Sequence, residues 1–192
     1  MKRQAMAALA IALLAANSAA QAAIIQYRAT LGPEAAGATG TGTVALTFDS
    51  ATSFLDFDVT FSGLSGITTV AHIHCCTAVA GTGTAGVAVT TPTLPGFPTG
   101  VSSGMYLRAF DMLLASSYSP AFITASGGSP AGALSRLLAN LDSGNAYFNV
   151  HSDRFPGGEI RGFPRRVPEP GTLALLGLGL AGLGLSRGRK AA

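Results

Sequence analysis

The chain has 192 residues, enough for one ordinary domain, and charged residues make up only 11% of it. Its net charge of +3 comes from the two ends, because residues 23–166 contain seven arginines, no lysine and eight acidic residues. This middle part has no basic stripe interleaved with aromatic side chains, so the sequence excludes a nucleic-acid-binding protein.

The first 22 residues have the three parts of a secretory signal peptide. Lys2 and Arg3 give a basic start, an apolar run without a polar face follows, and Ala20 and Ala22 complete an Ala-x-Ala pattern. We therefore predict a signal peptide over residues 1–22, cleaved between Ala22 and Ala23. The protein is then expected to pass through Sec-type export machinery into an oxidising compartment.

Short apolar segments separated by glycine, threonine and serine fill the middle of the chain. Residues 54–61 alternate strictly between apolar and polar side chains, which is typical of a strand with one buried face. A polar link over residues 49–53 joins this strand to a similar one over residues 44–48, so we predict a hairpin. Further strands are predicted over residues 24–30, 67–74, 86–90, 105–107, 146–151 and 159–162. Many short strands with glycine-rich turns favour a mainly β fold, an antiparallel sandwich or barrel.

One short helix is predicted after a loop region that covers residues 81–104. Ser129 is suited to cap its N-terminus, Pro130 to occupy its first position, and Gly144 to end it. Four leucines spaced at i, i+3, i+4 and i+7 give this helix a single apolar face: Leu134, Leu137, Leu138 and Leu141.

The three histidines of the chain lie in two short segments. His72 and His74 would point to the same side of a strand, and His151 could meet them from another strand. Three converging imidazoles would suit Zn or Cu, with Glu159 or a cysteine thiolate as a fourth ligand. Alternatively the histidines are structural, each donating to a backbone carbonyl or pairing with Glu159 or Asp153.

Cys75 and Cys76 are the only cysteines, and they follow His74 directly. Three interpretations remain open for them. They can form a disulfide between neighbouring residues, they can remain free thiols that favour soft metal binding, or they can bridge to another molecule.

The two histidine segments resemble the CHRD domain, a module found in chordin and in many exported bacterial proteins. The matching motifs are His72-Ile73-His74, Asn149-Val150-His151 and Phe155-Pro156-Gly157-Gly158-Glu159-Ile160-Arg161-Gly162. The resemblance covers most of residues 24–163 and implies an immunoglobulin-like β-sandwich without an established catalytic activity. A His-x-His on a sandwich strand is also similar to copper–zinc superoxide dismutase, but only as a fold analogy, because that enzyme's further ligands are not found here. The resemblance assigns no role to the two cysteines.

The C-terminal segment has three features in a fixed order. Pro168-Glu169-Pro170 comes first, an apolar run over about residues 172–185 follows, and a basic cluster closes the chain. The basic residues are Arg187, Arg189 and Lys190. As a helix the apolar run covers about 21 Å, short of the ~30 Å hydrocarbon core, so it would span a membrane only with local thinning.

This order resembles the PEP-CTERM sorting domain. The resemblance implies recognition by an exosortase-type processing enzyme at the inner membrane, and removal of the tail near the Pro-Glu-Pro motif. Release, or attachment to extracellular polysaccharide, would follow. Three parts are therefore predicted: a signal peptide over residues 1–22, a CHRD-like β-sandwich over residues 23–163, and a sorting tail over residues 164–192. The tail contains a short membrane helix at about residues 172–185.

The sequence contains no Gly-x-Ser-x-Gly elbow, no phosphate-binding Gly-Lys-Ser/Thr loop and no paired carboxylates in a shared context. The resulting hypothesis is an exported, surface-sorted protein with a non-enzymatic binding or structural role in the extracellular matrix. The alternative is a Cu- or Zn-binding or redox protein that uses the His-x-His pair with His151.

Overall fold

The computed structural model describes residues 23–168, and this part is mainly β. The predicted apolar helices at the two ends lie outside the described residues. None of the helices within residues 23–168 is long and apolar enough to cross a membrane. The elements are β1 (Ile24–Pro33), β2 (Thr41–Asp49), β3 (Phe54–Ser62), β4 (Thr68–Cys75), β5 (Val87–Val89), β6 (Gly104–Asp111), a 3₁₀ turn (Ala115–Ser117), α1 (Pro120–Ala125), α2 (Pro130–Ser143), β7 (Ala146–Ser152), β8 (Ile160–Gly162) and β9 (Arg165–Arg166).

The strands are hydrogen-bonded in the order β5-β4-β7-β8-β1-β2-β3-β6, with β9 also on β1, and every pairing is antiparallel. Strand β1 joins the two halves of this curled sheet. Its length up to Leu31 pairs with β2, whereas its last residues, Gly32 and Pro33, pair with β8. Apolar side chains from both halves form one buried core that includes Tyr27, Phe57 and Phe148. The predicted antiparallel β-sandwich is confirmed.

The β2–β3 hairpin has the predicted alternation. Leu46 lies opposite Phe57 and Phe48 opposite Leu55, and these four side chains are buried while their neighbours along β3 are exposed. Burial of such apolar area, at about 25 cal/mol per Å², is the largest favourable term available to a small β domain.

The predicted helix is also confirmed. The side chain of Ser129 accepts a hydrogen bond from the backbone N–H of Gly132, Pro130 occupies the first turn, and Gly144 ends α2 with a left-handed φ of 73°. Helix α1, which precedes it, was not predicted. It has six residues, too few to show a helical period, although Ser119 and Pro120 repeat the capping signal of α2.

Strands β1 and β6 are longer than the sequence predicts. The β1 prediction stopped at Thr30 and the β6 prediction at Leu107, yet the strands reach Pro33 and Asp111. Backbone pairing with β8 and β3 sets these ends, and that pairing is not visible in local alternation.

Candidate metal centre

Strands β4 and β7 lie side by side, and their register places the histidines on one face. His72 is opposite Asn149, and His74 is opposite Tyr147. Because side chains alternate along a strand, His151 projects on the same side as Asn149. Ala71 and Ile73, on the opposite side of β4, are fully buried in the core. Both imidazoles of β4 therefore lie on the face of the sheet opposite the core, where they are still buried.

The three imidazoles converge on one point. One nitrogen from each of His72, His74 and His151 lies within 4.8 Å of the others. The ring centroids are 5.4 to 6.0 Å apart, and the three residues are only 6%, 9% and 8% exposed. The sequence-based expectation that His151 meets the His-x-His pair agrees with this geometry.

Each histidine is fixed by a backbone carbonyl from a different connecting segment. His72 Nε2 is 2.8 Å from the oxygen of Pro92, His74 Nδ1 is 2.9 Å from that of Ala85, and His151 Nδ1 is 2.9 Å from that of Pro156. A carbonyl oxygen only accepts, so each of these ring nitrogens carries the hydrogen. The other nitrogen of each neutral ring then has a free lone pair.

The ring nitrogens that the carbonyls leave free are the ones available to a ligand at the common point. His72 Nδ1, His74 Nε2 and His151 Nε2 are buried and have no hydrogen-bond partner. Burial lowers the pKa of His72 to about 4, and burial also lowers the pKa of His74. Both rings are therefore neutral at physiological pH, the state in which imidazole binds a metal.

Tyr147 and Arg161 form one wall of the cluster. The Tyr147 ring stacks on His74 with centroids 4.8 Å apart and an angle of 3° between the planes. The guanidinium of Arg161 lies over Tyr147, 5.3 Å from its centroid. This stack limits rotation of the His74 ring.

A family model described as the CHRD domain matches residues 22–163, well over half of the chain. The chain belongs to the CHRD-domain family. The resemblance drawn from the two histidine segments is thus confirmed, and the cluster lies inside the matched CHRD domain.

A second family model, the PEP-CTERM protein-sorting motif, matches residues 166–190. The CHRD domain is therefore part of a protein that is exported and sorted to the cell surface by exosortase-type machinery. The comparisons found no match among curated proteins or solved structures. The predicted cleavage residue Ala22 and the motif residues Glu169 and Pro170 lie outside the described part of the chain, which begins at Ala23 and ends at Pro168.

Glu159, the predicted fourth ligand, does not join the histidine group in the CHRD domain. Its carboxylate accepts hydrogen bonds from the backbone N–H groups of Ser65 and, at 3.3 Å, Gly66. The residue is fully buried beneath this turn. Its sequence position beside a strand could not show which backbone amides the fold would bring to it.

Cys75 and Cys76 form a disulfide with each other in the structure. Of the three interpretations left open by the sequence, the structure contains the bond between neighbouring residues. A sulfur in a disulfide is not a thiolate, so neither cysteine supplies a thiolate ligand beside His74 in this form.

Several residues that shape the cluster were not singled out from the sequence. They are Glu34, Tyr147 and the carbonyl-bearing residues Ala85 and Pro92, while Asn149 and Pro156 were named only as family motif positions without a role at the histidines. Asn149 was detectable in principle, because it lies two residues before His151 and shares its strand face. The three carbonyls could not be detected from the sequence, because their role depends on the paths of the loops rather than on residue type.

Proposed function

We propose that this surface-sorted domain binds a first-row transition metal ion, Zn or Cu, through His72 Nδ1, His74 Nε2 and His151 Nε2. Its role is metal binding rather than catalysis. The observation that carries the proposal is the convergence of three buried imidazoles, each of which has one ring nitrogen without a hydrogen-bond partner.

A purely structural role explains this arrangement poorly. A structural histidine gains from satisfying both ring nitrogens, and a buried polar atom without a partner costs about 1–3 kcal/mol. Here three such atoms face one another, each on a ring held by a carbonyl through its other nitrogen. Metal-bound histidines are usually oriented in this way, by an outer group that accepts the second ring N–H.

The separations also suit a metal ion. A zinc ion lies about 2.0–2.1 Å from each imidazole nitrogen, so two such nitrogens are at most about 4.2 Å apart. The largest separation here is within 4.8 Å, and ring movements of about 1 Å or less bring all three into range. Neutral imidazoles are good ligands for both Zn and Cu.

We further propose where the domain works. The PEP-CTERM match at residues 166–190 supports a tail that holds the protein at the inner membrane until processing. The mature domain would then reside in the extracellular matrix, with exopolysaccharide as the nearest polymer. Deletion of residues 167–192 is expected to move the protein from the surface fraction to the soluble exported fraction; an unchanged distribution contradicts this placement.

The metal proposal is tested on the full chain after export and purification. Elemental analysis, after incubation with Zn²⁺ or Cu²⁺ and removal of excess ion, is expected to give about one ion per chain. The His151→Gln variant and the triple His→Ala variant should retain none. Ser152→Ala is the matched control, because it alters the adjacent buried residue, whose side chain lies on the other strand face.

A stability measurement keeps the test decisive if a variant folds poorly. For the unmodified protein, ion at 100 times its Kd adds about 2.7 kcal/mol, which raises Tm by roughly 10 °C for a domain of this size. No bound ion and no Tm increase with either metal would overturn the proposal. Retention of metal by the folded triple variant would do so as well.

A further inference from the structure

Asn149 carries a fourth unsatisfied buried atom on the same strand face as the histidines. The residue is 1% exposed, lies opposite His72 in the strand register, and shares the face of His151. Its side-chain Oδ1 is buried and has no hydrogen-bond partner.

An ion pair fixes the orientation of the Asn149 amide. Asn149 Nδ2 donates to Glu34 Oε2 at 3.3 Å, and Glu34 Oε1 accepts from Arg161 Nη1 at 3.1 Å. A carboxylate accepts only, so the NH₂ group must face Glu34 and Oδ1 must face away from it. Arg161 is itself held by the carbonyl of Gly83, at 3.0 Å.

Gly158 shows how closely this pair is packed. A Cβ at Gly158, where φ is +127°, would lie 2.2 Å from Glu34 Oε2 and 3.0 Å from Asn149 Nδ2. The glycine therefore lets the turn after His151 close over the Glu34–Asn149 hydrogen bond.

Four buried acceptors without a hydrogen-bond partner then lie on one face of β4 and β7: three imidazole nitrogens and the amide oxygen of Asn149. Facing lone pairs repel, and neutral buried imidazoles supply no hydrogen in this direction. A cation relieves all four atoms at once, whereas a single water has only two hydrogens to donate.

Resting on the metal-binding function above, we propose that Asn149 Oδ1 is the fourth protein ligand of the centre, positioned by the Glu34–Arg161 ion pair. An amide oxygen is a harder donor than a thiolate or thioether. The set of three imidazoles and one amide oxygen therefore favours Zn²⁺ or Cu²⁺ over Cu⁺.

The test compares Asn149→Leu with Asn145→Leu in the full chain. The two substitutions are identical, and Asn145, which immediately precedes the same strand, donates its side-chain amide to the carbonyl of Thr77 instead. Zn²⁺ and Cu²⁺ affinities are measured by competition with a chelator, and the Cu²⁺ form is examined by electron paramagnetic resonance. Asn149→Leu should weaken binding by about 10–100-fold and alter the Cu²⁺ hyperfine splitting. Asn145→Leu should do neither.

A paired exchange tests the positioning. Glu34→Gln combined with Asn149→Asp keeps one amide and one carboxylate but reverses them, which places a carboxylate oxygen toward the ion. We expect this double variant to bind Zn²⁺ more tightly than Asn149→Leu and at least as tightly as the unmodified protein. If Asn149→Leu does not fold, this double variant still tests whether residue 149 is a ligand.

The outcomes separate this inference from the proposed function. If the unmodified protein binds one ion through its histidines, but neither Asn149→Leu nor the double variant changes affinity or the Cu²⁺ spectrum, Asn149 is not a ligand. If the unmodified protein binds no ion, the metal-binding function itself is overturned.

Discussion

At the scale of one residue, Glu159 was predicted as a metal ligand but instead accepts hydrogen bonds from the backbone. It is fully buried, yet its two oxygens accept backbone hydrogen bonds from Ser65 and Gly66 at the start of the segment that leads into β4. Hydrogen bonds to a charged group stabilise more than neutral ones, by about 1.5–3 kcal/mol. The carboxylate thus fixes the entry to the histidine strand without touching the histidines.

We therefore expect Glu159→Gln to lower the free energy of unfolding by about 2 kcal/mol, because the amide NH₂ cannot accept one of the two backbone hydrogens. Metal content should stay the same. Urea unfolding and elemental analysis measure the two effects. Loss of bound metal without loss of stability would restore Glu159 as a ligand.

At the scale of one element, the two ends of α2 depend on different physical effects. Ser129 satisfies an N-terminal backbone N–H through its side chain, 3.1 Å from Gly132 N. Gly144 supplies the left-handed conformation and also makes room for Arg165, whose Nη1 would lie 1.7 Å from a Cβ at this position. Arg165 in turn donates to the carbonyl of Ser143 at 3.3 Å.

Gly144→Ala should therefore destabilise the domain more than Gly127→Ala does. Both positions have positive φ, at 73° and 86°, so both substitutions incur about 1 kcal/mol of backbone strain. Only Gly144 has a neighbour within 4 Å of the added Cβ, whereas Gly127 has open space. Thermal unfolding of the two variants checks this, and equal losses would show that Arg165 moves aside without cost.

At the scale of the whole molecule, burial affects the pKa of every tyrosine. All four of the chain are buried, and burial raises the pKa of each above its usual value of 10, to about 12 for Tyr106. Three of their hydroxyls donate to protein groups, namely Tyr27 to Asp142, Tyr106 to Pro95 and Tyr118 to Met112. The fold therefore holds the neutral form of every tyrosine.

Stability should consequently be lost in alkali. Because the folded-state pKa is raised, the contribution is complete below pH 10 and declines as the pH rises through the folded-state value, by up to ~1.4 kcal/mol per pH unit for each tyrosine. Lysine also titrates in this pH range, but the chain has only two lysines, and both lie in the terminal segments. Urea unfolding between pH 9 and 12, with absorbance at 295 nm for ionised tyrosine, measures this. Ionisation near pH 10 without unfolding would contradict it.

The sequence by itself determined the elements whose signals are local. The hairpin followed from the strict alternation over residues 54–61, and α2 followed from Ser129, Pro130, Gly144 and the spacing of its leucines. The family and the sorting tail followed from short motifs with fixed spacing. His72 and His74 were placed on one face because a strand has a period of two.

Only the tertiary structure decided what meets those histidines. The pairing of β4 with β7 brought His151 and Asn149 to the same face, and the loops supplied the three carbonyls that fix the rings. The same packing drew Glu159 to the backbone of Ser65 and Glu34 to Arg161. These contacts join residues as many as 127 positions apart. No local pattern encodes them, because they depend on strand order and loop path rather than on residue type.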